Sequence, residues 1–148
     1  MTLQEFLDEK QYTTVSMRGT QFGHLEVAAS INNISTLLLV DTGAASTVID
    51  IAFAHEHGLP LTDTTITGGG VGTSDLVIHQ LDNIHIDLGG FTLENTTIYA
   101  ADLQHVKQSL SDKGETAIPS GVIGADILSR HHAIIDYQNL KLYLQPAT

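Results

Sequence analysis

The apolar run Leu37-Leu38-Leu39-Val40 stops on Asp41-Thr42-Gly43-Ala44. Consecutive large apolar residues read as a strand buried on both faces rather than an alternating one. The carboxylate of Asp41 is therefore expected at the rim of a buried strand, on a backbone that turns at once. Gly43 permits an approach of the backbone that a side chain would block. Thr42 brings a small hydroxyl able to bond across a tight interface or back to the chain, and Ala44 keeps the turn small. Far downstream, Gly121-Val122-Ile123-Gly124-Ala125-Asp126-Ile127-Leu128 has the pattern of a second apolar strand breaking at glycine into a helix. Any fold for this chain has to accommodate both elements.

Between and around them the signals are mostly those of strands. Thr2 to Lys10 reads as a short helix, with Thr2 as its cap and Glu5 as the reciprocal partner. His24 to Ser30 alternates, Asn32-Asn33 is a turn, and Ser35 to Val40 is the apolar strand. Ala45 to Ile49 is expected to be a short strand. Asp50 is placed to cap a helix from Ile51 to His57, which Gly58 and Pro60 would end. Thr65 to Thr73 carries Gly68, Gly69, Gly70 and Gly72 and reads as a hairpin tip or loop. In Asp75 to Leu88 the residues Ile84, Ile86 and Leu88 alternate, and Gly89-Gly90 turns the chain into Phe91 to Ala100. Asp102 to Ser120 gives the weakest pattern, a loop with some helix. Ala133 to Asp136 and Leu140 to Leu144 read as a terminal hairpin joined around Gln138-Asn139. The strand count and the glycine-marked turns favour one mostly β domain, and 148 residues suit one domain.

Composition removes several function classes. There is no cysteine, so no disulfide or zinc–thiolate chemistry is available, and the absence fits a reducing compartment. Met1 to Lys10 is polar and acidic, without the basic and apolar regions of a signal peptide. No apolar stretch approaches the roughly 20 residues needed to span a bilayer. A cytoplasmic protein without a membrane partner is expected. Six basic against 17 acidic residues, a net charge of −11, disfavour binding to nucleic acid. Eight histidines raise the question of a metal. His55 and His57 lie two apart on a helix and so face apart. His131 and His132 are adjacent and would diverge in a strand, and His79, His85 and His105 have no ligand-like spacing to an acid. Neither a metal nor a cofactor is expected, and Gly68 to Gly72 lacks the lysine of a phosphate loop.

A carboxylate framed like Asp41 is useful to hydrolysis only in a pair. Two like charges at contact distance cannot both ionise cheaply, so the pair shares one proton. One member then acts as a base toward water and the other as an acid toward a carbonyl oxygen. The sequence offers one Asp-Thr-Gly, and Asp126 and Asp136 stand in different frames. A two-fold homodimer supplies the second carboxylate without a second motif.

Asp41-Thr42-Gly43-Ala44 with Ser46-Thr47-Val48-Ile49 resembles the active-site segment of retropepsin-like aspartic proteases. Val122-Ile123-Gly124-Ala125-Asp126-Ile127-Leu128 resembles the hydrophobic–hydrophobic–glycine element of that family. Asp136-Tyr137 ahead of Leu140 to Leu144 is similar to the closing hairpin of its bacterial members. The resemblance spans roughly Gly19 to Leu144. It implies a single-lobed, mostly β acid protease fold with a psi-shaped core, a flap hairpin and short helices, built from residues 19–148 behind a helical N-terminal extension of residues 1–18. It implies Asp41 as the catalytic carboxylate, Thr42 bonding to its counterpart across a homodimer, and Gly43 receiving substrate hydrogen bonds. Gly124 would let its strand cross behind the Asp41 loop, while Asp126 would serve as a structural acid near a helix start. The flap would comprise Thr67, Gly68, Gly69, Gly70, Val71 and Gly72 and close over the substrate. Pepsin-like enzymes usually carry serine where this chain has Ala44. An alanine cannot hydrogen-bond the carboxylate, so a working range from mildly acidic to near neutral is expected.

The resulting expectation is an aspartic endopeptidase acting on a peptide or protein substrate held in extended form. The alternative is a catalytically silent peptide-binding or dimerisation module on the same fold. The acidic surface mildly favours basic or neutral substrates, as a global field only. Pocket residues are expected from Ile49 to Ala54, from the flap, and from the loops around Val122 and Ala101.

Overall fold

A computed structural model describes residues 1–70 and 73–147, the side chains of 63–70 and 73–76 excepted. In chain order the elements are α1 (Leu3–Glu9), β1 (Thr13–Ser16), β2 (Arg18–Gly19), β3 (Leu25–Ile31), β4 (Ile34–Val40), β5 (Val48–Asp50), α2 (Ile51–Glu56), β6 (Leu61–Gly70), β7 (Thr73–Leu88), β8 (Phe91–Ala101), α3 (Gln104–Asp112), β9 (Gly121–Ile123), α4 (Ala125–Arg130), β10 (Ile134–Asp136) and β11 (Lys141–Leu144).

Six strands close on themselves in the order β3-β4-β9-β5-β8-β7, because β7 also pairs back onto β3 through Ala29↔Leu88 and Ile31↔Ile86. The ring is mixed: β4 with β9 and β5 with β8 run parallel, and the other pairs are antiparallel. Closure leaves fewer free edges for pairing with other chains. Its interior is filled by apolar side chains, among them Ile31, Leu38, Ile49, Ile98 and Ile123 and the alternating Ile84, Ile86 and Leu88 that the sequence marks, all buried. Each such side chain contributes about 1.5–3 kcal/mol by leaving water.

The turns follow from residue type. Asn32 and Asn33 both take positive φ, 48° and 67°, joining Ile31 to its partner Ile34. That is the two-residue hairpin turn whose twist matches the flanking strands. Gly89 and Gly90 do the same between Leu88 and Phe91. Thr2 caps α1 by accepting the Glu5 amide at 3.1 Å.

Two expectations from the sequence change. The apolar run of β4 is not buried on both faces: Leu38 is buried, but Leu37, Leu39 and Val40 are half-buried. The reason is that β4 has its outer face at a cleft. The N-terminal segment is helical only to Glu9. Beyond it, β1 pairs antiparallel with β11, from Thr13↔Leu144 to Ser16↔Lys141, and β11 pairs with β10. Val15 of this three-stranded sheet is fully buried in the main core. Among the described residues no helix is long and apolar enough to cross a membrane.

Candidate active site

Asp41 follows the last residue of β4, and its amide donates to the Ile123 carbonyl at 3.0 Å, continuing the parallel pairing with β9 by one step. The chain then turns through 42–47 while β9 passes behind it into α4. The crossing is close. A Cβ on Gly124 would lie 2.5 Å from the Ser46 carbonyl oxygen and 2.8 Å from that of Ala44, and one on Gly121 would lie 2.3 Å from the Val48 oxygen. Gly124 is thus required by backbone packing. So is Gly121, which sequence reasoning did not single out as part of the frame.

The start of α4 bonds to the Asp41 loop rather than to water. The Ala125 amide donates to Ala44 O at 2.7 Å and the Asp126 amide to Ala45 O at 3.2 Å. The Asp126 carboxylate accepts the Thr47 amide at 3.0 Å, the Thr47 hydroxyl at 2.8 Å and the Ile127 amide at 2.8 Å. The same hydroxyl accepts the Gly124 amide at 3.0 Å. Asp126 therefore ties the loop to the helix start, and buried Thr47 is its partner. No role for Thr47 was legible in the sequence, where it stands within a motif whose hydroxyl has no visible mate.

Asp41 itself is exposed, and Oδ1 accepts the Gly43 amide at 2.9 Å. A Cβ on Gly43 would approach that oxygen to 3.3 Å. Thr42 is also exposed. Asp41 lines a cleft of about 570 Å³. Leu39, Val40 and Val122 line it, which explains why β4 keeps apolar side chains half-open to solvent. The facing residues come from α3 and its end, including Val106, Leu110 and Lys113, with His24 preceding β3.

The position of α3 depends on Asp50. The sequence marks this residue as the cap of α2, and its Oδ1 does accept the Ala52 amide at 3.4 Å. The same carboxylate also accepts the Leu103 amide at 3.3 Å and the Lys107 ammonium at 2.9 Å. Burial pushes the Asp50 carboxyl up, but the Lys107 contact and the Leu103 and Ala52 amides outweigh it and hold it below the usual carboxylate range. The cap of α3, Leu103, offers no side-chain hydrogen bond. Locally the Gln104 amide donates to Asp102 Oδ1 at 2.9 Å, and Asp50 adds an anchor distant in sequence.

The glycine-rich segment forms a hairpin. In it β6 and β7 pair through Thr67↔Val77, Gly68↔Leu76 and Gly70↔Thr73. Thr67, Gly68, Gly69 and Gly70 lie on β6, whereas Val71 and Gly72 lie outside the described residues. His131 and His132 do not sit in a strand. They close α4, and both Nδ1 atoms meet Gln145, at its carbonyl oxygen and its Oε1 respectively. Among the described residues no three His, Asp or Glu side chains converge as a metal-binding group.

Residues 27–127 match the family model described as aspartyl protease. Three solved structures resemble the fold. A retropepsin-like aspartic protease from Rickettsia conorii superposes with a TM-score of 0.56 at 19% identity, covering 90% of this chain and 89% of that one. The EIAV protease complexed with the inhibitor HBY-793 gives 0.53 at 20% identity, over 80% and 98% of the two chains. The retroviral protease-like domain of Ddi1 from Leishmania major gives 0.53 at 20% identity, over 83% and 94%. No curated protein matches the chain.

Proposed function

The chain belongs to the aspartyl protease family and has the single-lobed retropepsin-like fold, and from that premise we propose that it is an endopeptidase whose two catalytic carboxylates are the Asp41 residues of a homodimer. The observation that carries this reading is the setting of Asp41. It is exposed, its loop is held on both sides by bonds to residues 123–126, and no other acid lines its cleft among the described residues. An exposed, unpaired carboxylate on a loop held in this way can meet its own copy across a two-fold axis.

In the dimer the pair carries one proton. The ionised member removes a proton from a water molecule, whose oxygen attacks the peptide carbonyl carbon. The protonated member gives its proton to the carbonyl oxygen. Collapse of the tetrahedral intermediate breaks the C–N bond as the nitrogen takes up a proton. Thr42, exposed beside Asp41, would bond to its counterpart across the axis. Gly43 offers backbone to an extended substrate, and the β6–β7 hairpin is the element that would close over it. Asp126 holds the frame and does not react.

The test is cleavage of a diverse peptide library between pH 4 and 7.5 by wild type and Asp41→Asn, with molecular mass measured in the same buffers. Cleavage by a dimer, lost in the variant, is the expected result. A stable dimer that binds peptides without cleaving them would replace this reading with a silent peptide-binding module. Cleavage by a monomer would overturn the shared pair.

A further inference from the structure

We propose that the cleft beside Asp41 selects an acidic side chain of the substrate, a glutamate or aspartate close to the scissile bond. The proposal rests on the endopeptidase reading and names the substrate class of that same site. Its basis is a local lining unlike the acidic chain as a whole: one lysine and two histidines against one acid.

The protein carries six basic residues and a net charge of −11, and several of the basic groups are engaged elsewhere. Arg18 donates to the buried Glu26 carboxylate, Lys107 to Asp50, and Lys141 to the Ser16 hydroxyl. The Lys113 ammonium, like the Arg130 guanidinium, has no hydrogen-bond or ion-pair partner among the described residues, and of these two residues Lys113 lines the Asp41 cleft. His24 and His105 line the cleft with it. Asp41 is the one acid on that lining among the described residues. Glu26 and Glu115 line a smaller void instead, which shares His24, Leu39 and Leu110 with this cleft.

A ligand group that fits such a lining has an aliphatic stem and an anionic end. Its methylenes can lie on Leu39, Val122 and Leu110, while its carboxylate accepts from the Lys113 ammonium and from imidazole N–H groups, which even neutral histidines possess. A lysine or arginine side chain would place its charge against Lys113. The long-range field of the acidic surface opposes an acidic substrate, but salt screens it over about 8 Å. Contacts inside a cleft with apolar walls are screened less. Lys113 is exposed, so the discrimination is modest, up to roughly fivefold in kcat/KM.

The experiment takes a peptide that wild type cleaves and places Glu, Gln or Lys at each position within four residues of the scissile bond. Wild type should prefer Glu over Lys at one position, and Lys113→Glu should abolish or reverse the preference there. Lys113→Gln, a milder change, should give an intermediate ratio. No preference in wild type, or the same preference in Lys113→Glu, would overturn the proposal while leaving the endopeptidase reading intact. If no peptide is cleaved, that reading fails instead, and the cleft is assayed by fluorescence anisotropy of the same peptides with the Asp41→Asn protein. Tighter binding of the Glu peptide, lost with Lys113→Glu, then supports the selectivity, and equal binding of all three removes it.

Discussion

The Thr47 hydroxyl stands between two backbone elements: it donates to Asp126 Oδ1 at 2.8 Å and accepts the Gly124 amide at 3.0 Å. Thr47 is buried, so no water is at hand to replace either bond. The relay joins the end of the Asp41 loop to the strand–helix junction that crosses behind it.

Thr47→Val keeps the shape and removes the hydroxyl, leaving the Gly124 amide without its acceptor. A buried unsatisfied donor costs about 1–3 kcal/mol, and loss of the Asp126 contact adds to it. Denaturant unfolding should show a lowered midpoint for Thr47→Val and a smaller effect for Thr47→Ser. Equal stabilities of Thr47→Val and wild type would mean that the relay carries no stabilisation.

Gly121→Ala and Gly124→Ala should each destabilise the protein by about 3 kcal/mol or more, at the upper end of overpacking costs. The added methyl meets backbone rather than a side chain that can rotate away, at 2.3 Å for Gly121 and 2.5 Å for Gly124. Gly23→Ala meets no atom within 4 Å, so its cost is confined to its positive φ. Thermal unfolding of the three variants side by side separates the two causes.

Asp50 links stability to pH. Its folded-state value lies below the ordinary 3.8, so the unfolded chain takes up the proton first as pH falls. The stabilisation is complete above pH 3.8 and is lost as pH drops through the lowered folded value. Lys107→Met leaves a buried carboxylate without its ammonium and should cost about 1–3 kcal/mol at pH 7, allowing for the partial exposure of the lysine. Urea unfolding should show that penalty shrinking as Asp50 becomes protonated. A penalty unchanged at low pH would place the effect in the aliphatic stem instead.

Asp41→Asn should behave oppositely to these framework changes. The carboxylate is exposed, and the bond found for its side chain is to its own neighbour, Gly43. Stability should therefore move by less than about 1 kcal/mol, while peptide cleavage falls by roughly a thousandfold or more. Calorimetry and peptide kinetics on one preparation check both halves.

Much of the fold was legible in residue pattern because it depends on local preference. The alternation of Ile84, Ile86 and Leu88 marks the inner face of β7. Asn32-Asn33 and Gly89-Gly90 mark hairpins through the positive φ they adopt, and Asp50 marks a helix start. Residues 102–120 were opaque for a physical reason: the α3 cap, Leu103, offers no side-chain hydrogen bond, and part of the anchoring comes from Asp50, distant in sequence. The pairing of β1 with β11 was hidden because the two segments meet only after nearly the whole chain has folded between them.

The sequence by itself singled out Asp41 as the candidate carboxylate, with Gly43 close behind it, and an apolar strand breaking at Gly124 as its companion element. These properties reside in side-chain chemistry and in short-range sterics. Only the tertiary structure decided that Thr47 and Asp126 secure the loop, that Gly121 is as constrained as Gly124, and that α3 brings Lys113 and His105 to the cleft of Asp41. Those relationships are contacts between segments far apart in the chain, and closure of the barrel brings them together.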